Sequence, residues 1–124
     1  GIHVELALQF SASDAGTVMT FVNGGSTPEG GTHLDGLIAA LKRWITAYTE
    51  KKEAPYAPRR VEAVFEGLTA VISVHLHSPE YAGATKNRIM NAALFPLVEQ
   101  MAYGVLEALG KADPTAVDKL LLSH

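Results

Sequence analysis

The sequence predicts a two-layer α/β (α+β) sandwich, in which helices cover one face of a small mixed sheet. Two stretches, Ile2 to Phe10 and Leu68 to Leu76, alternate apolar and polar residues with the period of a strand. Between them, Leu34 to Tyr48 repeats its apolar residues at the i, i+3, i+4, i+7 spacing of an amphipathic helix. Because the strands carry polar residues on one face, the helices are expected to pack on the other.

Length and composition fit one globular domain. The chain has 124 residues, of which 48% are hydrophobic and 19% are charged, and this argues against disorder. A net charge of −3 argues against nucleic-acid binding through bulk charge. The absence of cysteine excludes disulfides and thiolate metal sites, and it fits a reducing, cytoplasmic compartment. The sequence shows no signal peptide and no apolar run of about 20 residues that would indicate a membrane span.

The first two strands of the chain are expected to pair as a hairpin. The first strand should pair with a second at Thr17 to Asn23, because "SDAG" between them is a turn signal. Leu68 to Leu76 is the clearest strand in the sequence. A fourth strand is also expected, and Ala84 to Ile89 could either supply it or remain a loop.

The first long helix is expected to begin with Thr32 as its N-cap, with Asp35 in the capping-box position. It should end at about Lys51 or Lys52, where cations suit the helix dipole. Seven apolar residues form its expected inner stripe, in which Trp44 and Tyr48 serve core packing: Leu34, Leu37, Ile38, Leu41, Trp44, Ile45 and Tyr48.

Three further helices are predicted. Arg59 to Glu66 is a short helix that ends at Gly67. Ala92 to Leu109 is a longer helix, and Asp113 is expected to cap a last one. The longer helix has Pro96 in its first turn, and the last has Pro114 at its first position. The inner stripe of the longer helix is expected to be Leu94, Leu97, Val98, Met101, Val105 and Leu109.

Three segments, in order, resemble one protein family. They are "FVNGGSTPEGGTHLDGLIAAL" (Phe21 to Leu41), "EGLTAVISVHL" (Glu66 to Leu76) and "PEYAGATKNRIMN" (Pro79 to Asn91). Each is similar to a segment in the transducer domain of bacterial type II DNA topoisomerase B subunits, namely those of DNA gyrase (gyrase B) and of topoisomerase IV. The first two segments are long and specific, and the resemblance as a whole spans roughly Ile2 to Asn91.

The resemblance implies a fold and a place in a longer chain. The fold is the ribosomal protein S5 domain 2-like sandwich, which agrees with the two layers predicted above. Residues 1–124 would form a single transducer domain, excised from a chain in which it follows an ATPase domain. Because Gly1 is followed at once by a strand pattern, the sequence itself also suggests a fragment.

The resemblance also implies an activity and partners. The parent would be an ATP-hydrolysing DNA topoisomerase, an isomerase, that couples ATP turnover to passage of one DNA duplex through another. ATP and Mg²⁺ would be bound mainly by the ATPase domain, so the isolated domain is not expected to be active. The expected partners are that ATPase domain, double-stranded DNA and the A-type subunits of gyrase or topoisomerase IV. The parent is expected to be a homodimer when ATP is bound, with no membrane contact.

Lys86 is the residue that the resemblance marks as catalytic. Ala84, Thr85 and Lys86 align with a Gln-Thr-Lys triplet of the family, so Thr85 and Lys86 are the expected nucleotide-binding residues. A lysine ammonium suits the γ-phosphate, where negative charge is redistributed during phosphoryl transfer. The alternative is a solvated loop lysine. Ala84 departs from the family and removes the glutamine amide.

The glycine-rich stretch from Asn23 to Gly31 poses a separate question, since glycine loops before helices often bind phosphate. It lacks the Gly-Lys-Ser/Thr ending of a P-loop, so a structural role at a tight strand-to-helix junction is expected. His33 just after it is expected to be a structural hydrogen-bonding residue. His75 and His77, with Glu80 near, could hold a metal, but no third ligand is evident, and alternating polar residues on a solvent face explain the two histidines equally well. No metal is therefore predicted.

Three basic pairs could contact DNA, although in an acidic domain such pairs are more often a solvated face: Lys42 and Arg43, Lys51 and Lys52, and Arg59 and Arg60.

The leading hypothesis for the chain, from the three family-like segments, is the topoisomerase transducer domain. One alternative is a non-catalytic, diverged gyrase B-like paralogue that acts as a binding or regulatory module, which Ala84 motivates. A further alternative is a similar module of another nucleotide-dependent machine.

Overall fold

A computed structural model describes residues 1–10, 16–51 and 61–121 of the chain. Four strands form one sheet: β1 (His3–Phe10), β2 (Val18–Val22), β3 (Gly25–Ser26) and β4 (Leu68–His75). Four helices accompany it: α1 (Thr32–Lys51), α2 (Val61–Glu66), α3 (Leu94–Ala112) and α4 (Pro114–Leu121). None of these helices is long and apolar enough to cross a membrane.

The strand order is β1-β4-β2-β3, and the sheet is mixed. β4 pairs with β1 antiparallel and with β2 parallel, while β2 pairs with β3 antiparallel. The predicted hairpin between the first two strands is therefore wrong, because β4 lies between them. The hairpin instead joins β2 to β3 through Asn23 and Gly24, whose φ values of 50° and 85° are those of a two-residue turn with left-handed central residues.

The expected fourth strand is β3, and Ala84 to Ile89 remains a loop. β4 is central, since Leu68, Ala70, Ile72 and Val74 are all buried on one face. The register places Val4 opposite Val74 and Leu6 opposite Ile72, so the apolar side of β1 shares that face. The helices pack there, and the predicted two-layer sandwich is confirmed.

Helix α1 is described as far as Lys51, so its predicted end at Lys51 or Lys52 falls at the limit of the described residues, and its predicted inner stripe is confirmed. Four stripe residues are buried in the core, Leu37, Leu41, Trp44 and Ile45, and the other three are half-buried, Leu34, Ile38 and Tyr48. The Trp44 ring stacks on Phe10 with 6.2 Å between centroids, which confirms core packing. A Cβ at Gly36 would lie 2.6 Å from the Phe95 carbonyl oxygen, so this glycine allows α1 and α3 to cross closely.

Helix α3 confirms Leu94 and Val98 of the predicted stripe but not its other four residues. Its buried residues are Leu94, Val98, Ala102 and Leu106. Four predicted core residues are instead exposed: Leu97 by 42%, Met101 by 40%, Val105 by 38% and Leu109 by 36%. The helix is apolar on several sides, so periodicity could not select one stripe. Packing against α1, whose Gly36 lies against Val98, makes the selection.

The two short helices agree with the predictions. α2 ends at Glu66 before Gly67, although Arg59 and Arg60 lie outside the described residues. α4 begins at Pro114, and the Ala116 N–H donates to Asp113 Oδ1 at 3.1 Å, which confirms the predicted cap.

Helix α4 is also joined to α1, because the Tyr48 hydroxyl donates to the Asp118 carboxylate. Burial, together with this hydrogen bond, raises the pKa of Tyr48 to about 12.

Candidate functional site

Lys86 lies in a loop between β4 and α3 whose two arms pair with each other. Residues 80–91 are called the lysine loop; its tip is residues 83–86 and its base is the remainder. In the base, the Ala82 N–H donates to the Arg88 carbonyl at 2.9 Å and the Met90 N–H donates to the Glu80 carbonyl at 2.6 Å. Tyr81 and Ile89 form an antiparallel bridge between these two bonds. The two arms therefore form a short ladder below the tip.

One arm of the base also pairs with the glycine loop, residues 23–31. The Ile89 N–H donates to the Gly30 carbonyl, and the Ile89 carbonyl accepts from the Thr32 N–H, each at 3.1 Å. The Glu29 N–H donates to the Asn87 carbonyl at 3.0 Å. The lysine loop is thus attached by backbone hydrogen bonds to the segment that leads into α1.

Two glycines make this attachment possible. Gly30 and Gly31 have φ values of 72° and 136°, which favour glycine. A Cβ at Gly31 would lie 2.1 Å from the Ile89 carbonyl oxygen, so only glycine lets the two backbones approach this closely. The glycine loop therefore has the structural role that was predicted, and it supports the lysine loop.

Asn91 closes the base of the lysine loop. Its Oδ1 accepts from the Glu80 N–H at 2.6 Å, and its Nδ2 donates to the Ser78 carbonyl at 3.1 Å. Its backbone carbonyl accepts from the Thr32 hydroxyl at 2.7 Å. One residue thus ties together both arms of the loop and the first residue of α1.

The capping box predicted for α1 is wrong by one residue. Thr32 is the first helical residue, and the Asp35 N–H donates to the Gly31 carbonyl at 2.9 Å, so Gly31 occupies the cap position. The physical reason is the contact with the lysine loop, because the Thr32 hydroxyl is used by Asn91.

Beneath this junction lies a buried polar chain that begins at His33. The ring is fully buried; its Nδ1 accepts from the Leu34 N–H at 2.9 Å, which assigns the proton to Nε2. Nε2 lies 3.1 Å from Thr27 Oγ1, and the Thr20 hydroxyl donates to the Thr27 carbonyl at 2.7 Å. Burial lowers the pKa of His33 to about 4. The predicted structural hydrogen-bonding role is confirmed.

Arg88 gives the base a further link to α1. Its Nη1 donates to the Glu29 carbonyl at 3.2 Å, and its Nη2 lies 3.7 Å from the Asp35 carboxylate. Sequence reasoning missed Arg88 and Asn91, as their partners are distant in sequence. The only local signal was their place at the end of the third family-like segment.

The tip differs from the base in exposure. Ala84, Thr85 and Lys86 are all exposed, and Gly83 has a φ of 73° with open space around it. Within the described chain, the Lys86 side chain makes no hydrogen bond or ion pair. The structure therefore places the predicted site residues on an exposed tip, where the Lys86 ammonium group has no partner among the described residues.

The other candidate residues are not brought to the tip. His75 faces His3 with 6.1 Å between ring centroids, and in residues 1–10, 16–51 and 61–121 no group of three or more metal-ligating side chains is found. Arg43 stacks over the Tyr103 ring at 4.0 Å and pairs with Glu99 at 3.1 Å, so it joins α1 to α3. The side chain of Lys51, and Lys52, Arg59 and Arg60, lie outside the described residues.

Sequence comparison gives matches that cover nearly the whole chain. A family model described as DNA gyrase B matches residues 1–123. The B subunit of Archaeoglobus fulgidus DNA gyrase is 38% identical over 122 residues, which cover 98% of this chain and 19% of that protein. The B subunit of Myxococcus xanthus DNA gyrase is 36% identical over 128 residues, which cover 98% of this chain and 15% of that protein. The chain thus spans less than a fifth of the length of these relatives.

Solved structures agree in fold. The 43K ATPase domain of Thermus thermophilus gyrase B, in complex with an aminocoumarin, superposes with a TM-score of 0.80 and 27% identity. The superposition covers 96% of this chain and 32% of that one. The topoisomerase IV ATP-binding domain of Francisella tularensis gives a TM-score of 0.77 and 25% identity, over 96% of this chain and 33% of that one.

Proposed function

Because the chain belongs to the DNA gyrase B family, we propose that it is the transducer domain of an ATP-dependent type II DNA topoisomerase, within the B-type chain of that enzyme. The observation that carries the proposal is the exposed tip of the lysine loop, which holds Thr85 and Lys86 on a base fixed by hydrogen bonds. Residues 1–124 are then one domain of a longer chain, next to an ATPase domain.

The role of Lys86 follows from its charge and its setting. The ammonium has no carboxylate partner in the described chain, so it is available to an anion brought to the tip by another domain. At the γ-phosphate of ATP it stabilises the charge that is redistributed as the phosphoryl group passes to water. The backbone N–H of Thr85 is a second donor at the same exposed position. Mg²⁺ and the group that activates water belong to the ATPase domain.

The coupling role follows from the attachment of the base. The arm that carries Asn87 and Ile89 is hydrogen-bonded to the glycine loop and to Thr32 at the start of α1. A nucleotide that binds the Lys86 ammonium group is therefore linked through the base of the lysine loop to α1. In the parent this link serves DNA strand passage. The partners are double-stranded DNA and the A-type chain of the enzyme. The parent acts as an ATP-bound homodimer in the cytoplasm.

A second function is favoured by one residue. Ala84 stands at the exposed tip where the family has a glutamine, so the tip lacks one polar contact to phosphate or water. A parent that binds nucleotide or DNA without turnover, as a diverged regulatory paralogue, would tolerate this loss.

DNA-stimulated ATP hydrolysis by the full-length parent separates the two functions. We expect wild-type protein to hydrolyse ATP and Lys86→Ala to lose on the order of 10²-fold or more in turnover, the size measured for groups aimed at transition-state charge. Lys111→Ala is the matched control, since Lys111 is an exposed lysine at the end of α3. An active wild type with an unaffected Lys86→Ala variant would remove Lys86 from the site. An inactive wild type would favour the regulatory paralogue.

A further inference from the structure

We propose that Asn91 is a positioning residue for Lys86, which it serves by closing the base of the lysine loop and fixing that base to α1. The inference rests on the proposed function, because it assigns Asn91 a role in ATP turnover through Lys86. Asn91 lies five positions beyond Lys86 at the opposite end of the loop, so its effect on the tip is indirect.

The side chain of Asn91 holds the incoming arm. Oδ1 accepts from the Glu80 N–H, and Nδ2 donates to the Ser78 carbonyl, so the amide uses its acceptor and its donor on one short segment. These two bonds close a ring of loop residues from 78 to 91. The backbone ladder through Glu80 and Met90 begins directly above them.

The backbone of Asn91 holds α1. Its carbonyl accepts from the Thr32 hydroxyl at 2.7 Å, next to the bond between the Thr32 N–H and the Ile89 carbonyl. Asn91 and Thr32 therefore help to set the point at which the loop leaves the domain, together with the bonds of Ile89 and Asn87 to the glycine loop. Without the side-chain bonds of Asn91, the incoming arm keeps its ladder to the other arm but loses the direct hydrogen bonds that Glu80 and Ser78 make to the end of that arm.

A small displacement at this point is sufficient to affect catalysis. A reacting group misplaced by about 1 Å can lower a rate by about 10²-fold. The tip residues are exposed, and among the described residues the Lys86 side chain makes no hydrogen bond or ion pair that would restore its place. Asparagine is specific here: aspartate can accept from the Glu80 N–H but cannot donate to the Ser78 carbonyl.

The test is a double-mutant cycle on steady-state ATP hydrolysis by the full-length parent. Asn91→Ala is made in the wild-type background and in the Lys86→Ala background. We expect a loss of about 10-fold in kcat in the first background and no further loss in the second, because groups that act as one unit are not additive. Circular dichroism at the assay temperature verifies that each variant is folded.

The outcomes separate this inference from the proposed function. If Lys86→Ala lowers turnover and Asn91→Ala does not, the positioning role is refuted while the function stands. An equal loss from Asn91→Ala in both backgrounds would show a general structural role and also refute it. If Lys86→Ala itself has no effect, the proposed role of Lys86 fails, and the positioning role fails with it.

A milder pair of variants keeps the test decisive if Asn91→Ala does not fold. Thr32→Val removes only the hydroxyl that donates to the Asn91 carbonyl, and we expect a loss of about 3-fold in kcat that disappears in the Lys86→Ala background. Thr49→Val is the matched control, because the Thr49 hydroxyl donates to the Ile45 carbonyl within the same helix and far along it from the loop. Equal losses from the two threonine variants would contradict the proposal.

Discussion

The base and the tip of the lysine loop differ sharply, although only a few residues separate them. The base is bonded to the glycine loop and α1, and it requires Gly31 because a Cβ there would meet the Ile89 carbonyl. The tip is exposed, and around its Gly83 there is open space. The domain thus determines where the loop leaves its surface, and it leaves Lys86 available to a group outside the domain.

The largest effect is expected at the closest contact of the base. Gly31→Ala combines a φ of 136° with a Cβ placed 2.1 Å from the Ile89 carbonyl oxygen, and it should lower the free energy of unfolding by about 3 kcal/mol or more. Urea denaturation of the 124-residue chain measures this. Gly83→Ala at the tip is the matched control, with a φ of 73° and no clash, and should cost about 1 kcal/mol. Equal losses would remove the distinction between base and tip.

The buried histidine beneath the base gives the next effect, which depends on pH. The pKa of His33 is about 4 in the folded chain against 6.5 when unfolded, so below pH 6.5 the unfolded state takes up the proton first. The contribution of His33 to the free energy of unfolding should be complete above pH 6.5 and should decrease by about 3 kcal/mol as the pH falls to 4.

Denaturation midpoints at several pH values measure this dependence. His33→Gln should flatten the part of the profile between pH 6.5 and 4, while His77→Gln, at an exposed position, should leave it unchanged. A profile that is identical with and without His33 would contradict the account.

A smaller effect is expected where the base meets solvent. Arg88→Ala removes an exposed ion pair with Asp35 and one hydrogen bond to the Glu29 carbonyl, and it should cost about 1 kcal/mol. The contribution of the Arg88–Asp35 ion pair to the free energy of unfolding should weaken in high salt, and the contribution of the hydrogen bond to the Glu29 carbonyl should remain. A double-mutant cycle of Arg88→Ala with Asp35→Ala at two salt concentrations measures both parts. A loss near that of Gly31→Ala would show that the pair is more important than its geometry indicates.

The smallest effect on stability is expected at the tip. Lys86→Ala and Ala84→Gln should each change the free energy of unfolding by less than about 0.5 kcal/mol, since both residues are exposed and Lys86 makes no hydrogen bond or ion pair with the described residues. Thermal denaturation of both variants beside wild type is sufficient to measure this. A loss above about 1 kcal/mol from Lys86→Ala would mean that the lysine stabilises the domain itself.

The sequence was sufficient where local patterns determine structure. The alternation in β1 and β4 and the stripe of α1 appear as predicted. In these elements the periodicity of the strand or helix decides which side chains face the core. Strand order was not predictable in this way, since the pairing of β2 with β4 depends on contacts between distant segments. The Asn-Gly turn after β2 was a local signal for the true hairpin, and it was missed.

The candidate site likewise contains residues that the sequence predicts and residues that depend on contacts between distant segments. Lys86 and Thr85 are predicted site residues through the resemblance, and both lie on the exposed tip of the loop. The base could not be predicted, because Thr32 and Asn91 bond across 59 positions of sequence. Four residues of the α3 stripe were misassigned for a related reason: the choice among the apolar faces of α3 is made by packing against α1, which periodicity does not contain.

Hydrogen–deuterium exchange of the full-length parent, with and without a saturating non-hydrolysable ATP analogue, tests the central claim most directly. The account predicts that the amides of residues 84–86 exchange fast in the free protein and become protected when the analogue binds. The amides of Ile89 and Thr32 are hydrogen-bonded in the free domain and should be protected in both states. Fast exchange at residues 84–86 in both states would contradict the claim that the tip is the part of this domain that meets the nucleotide.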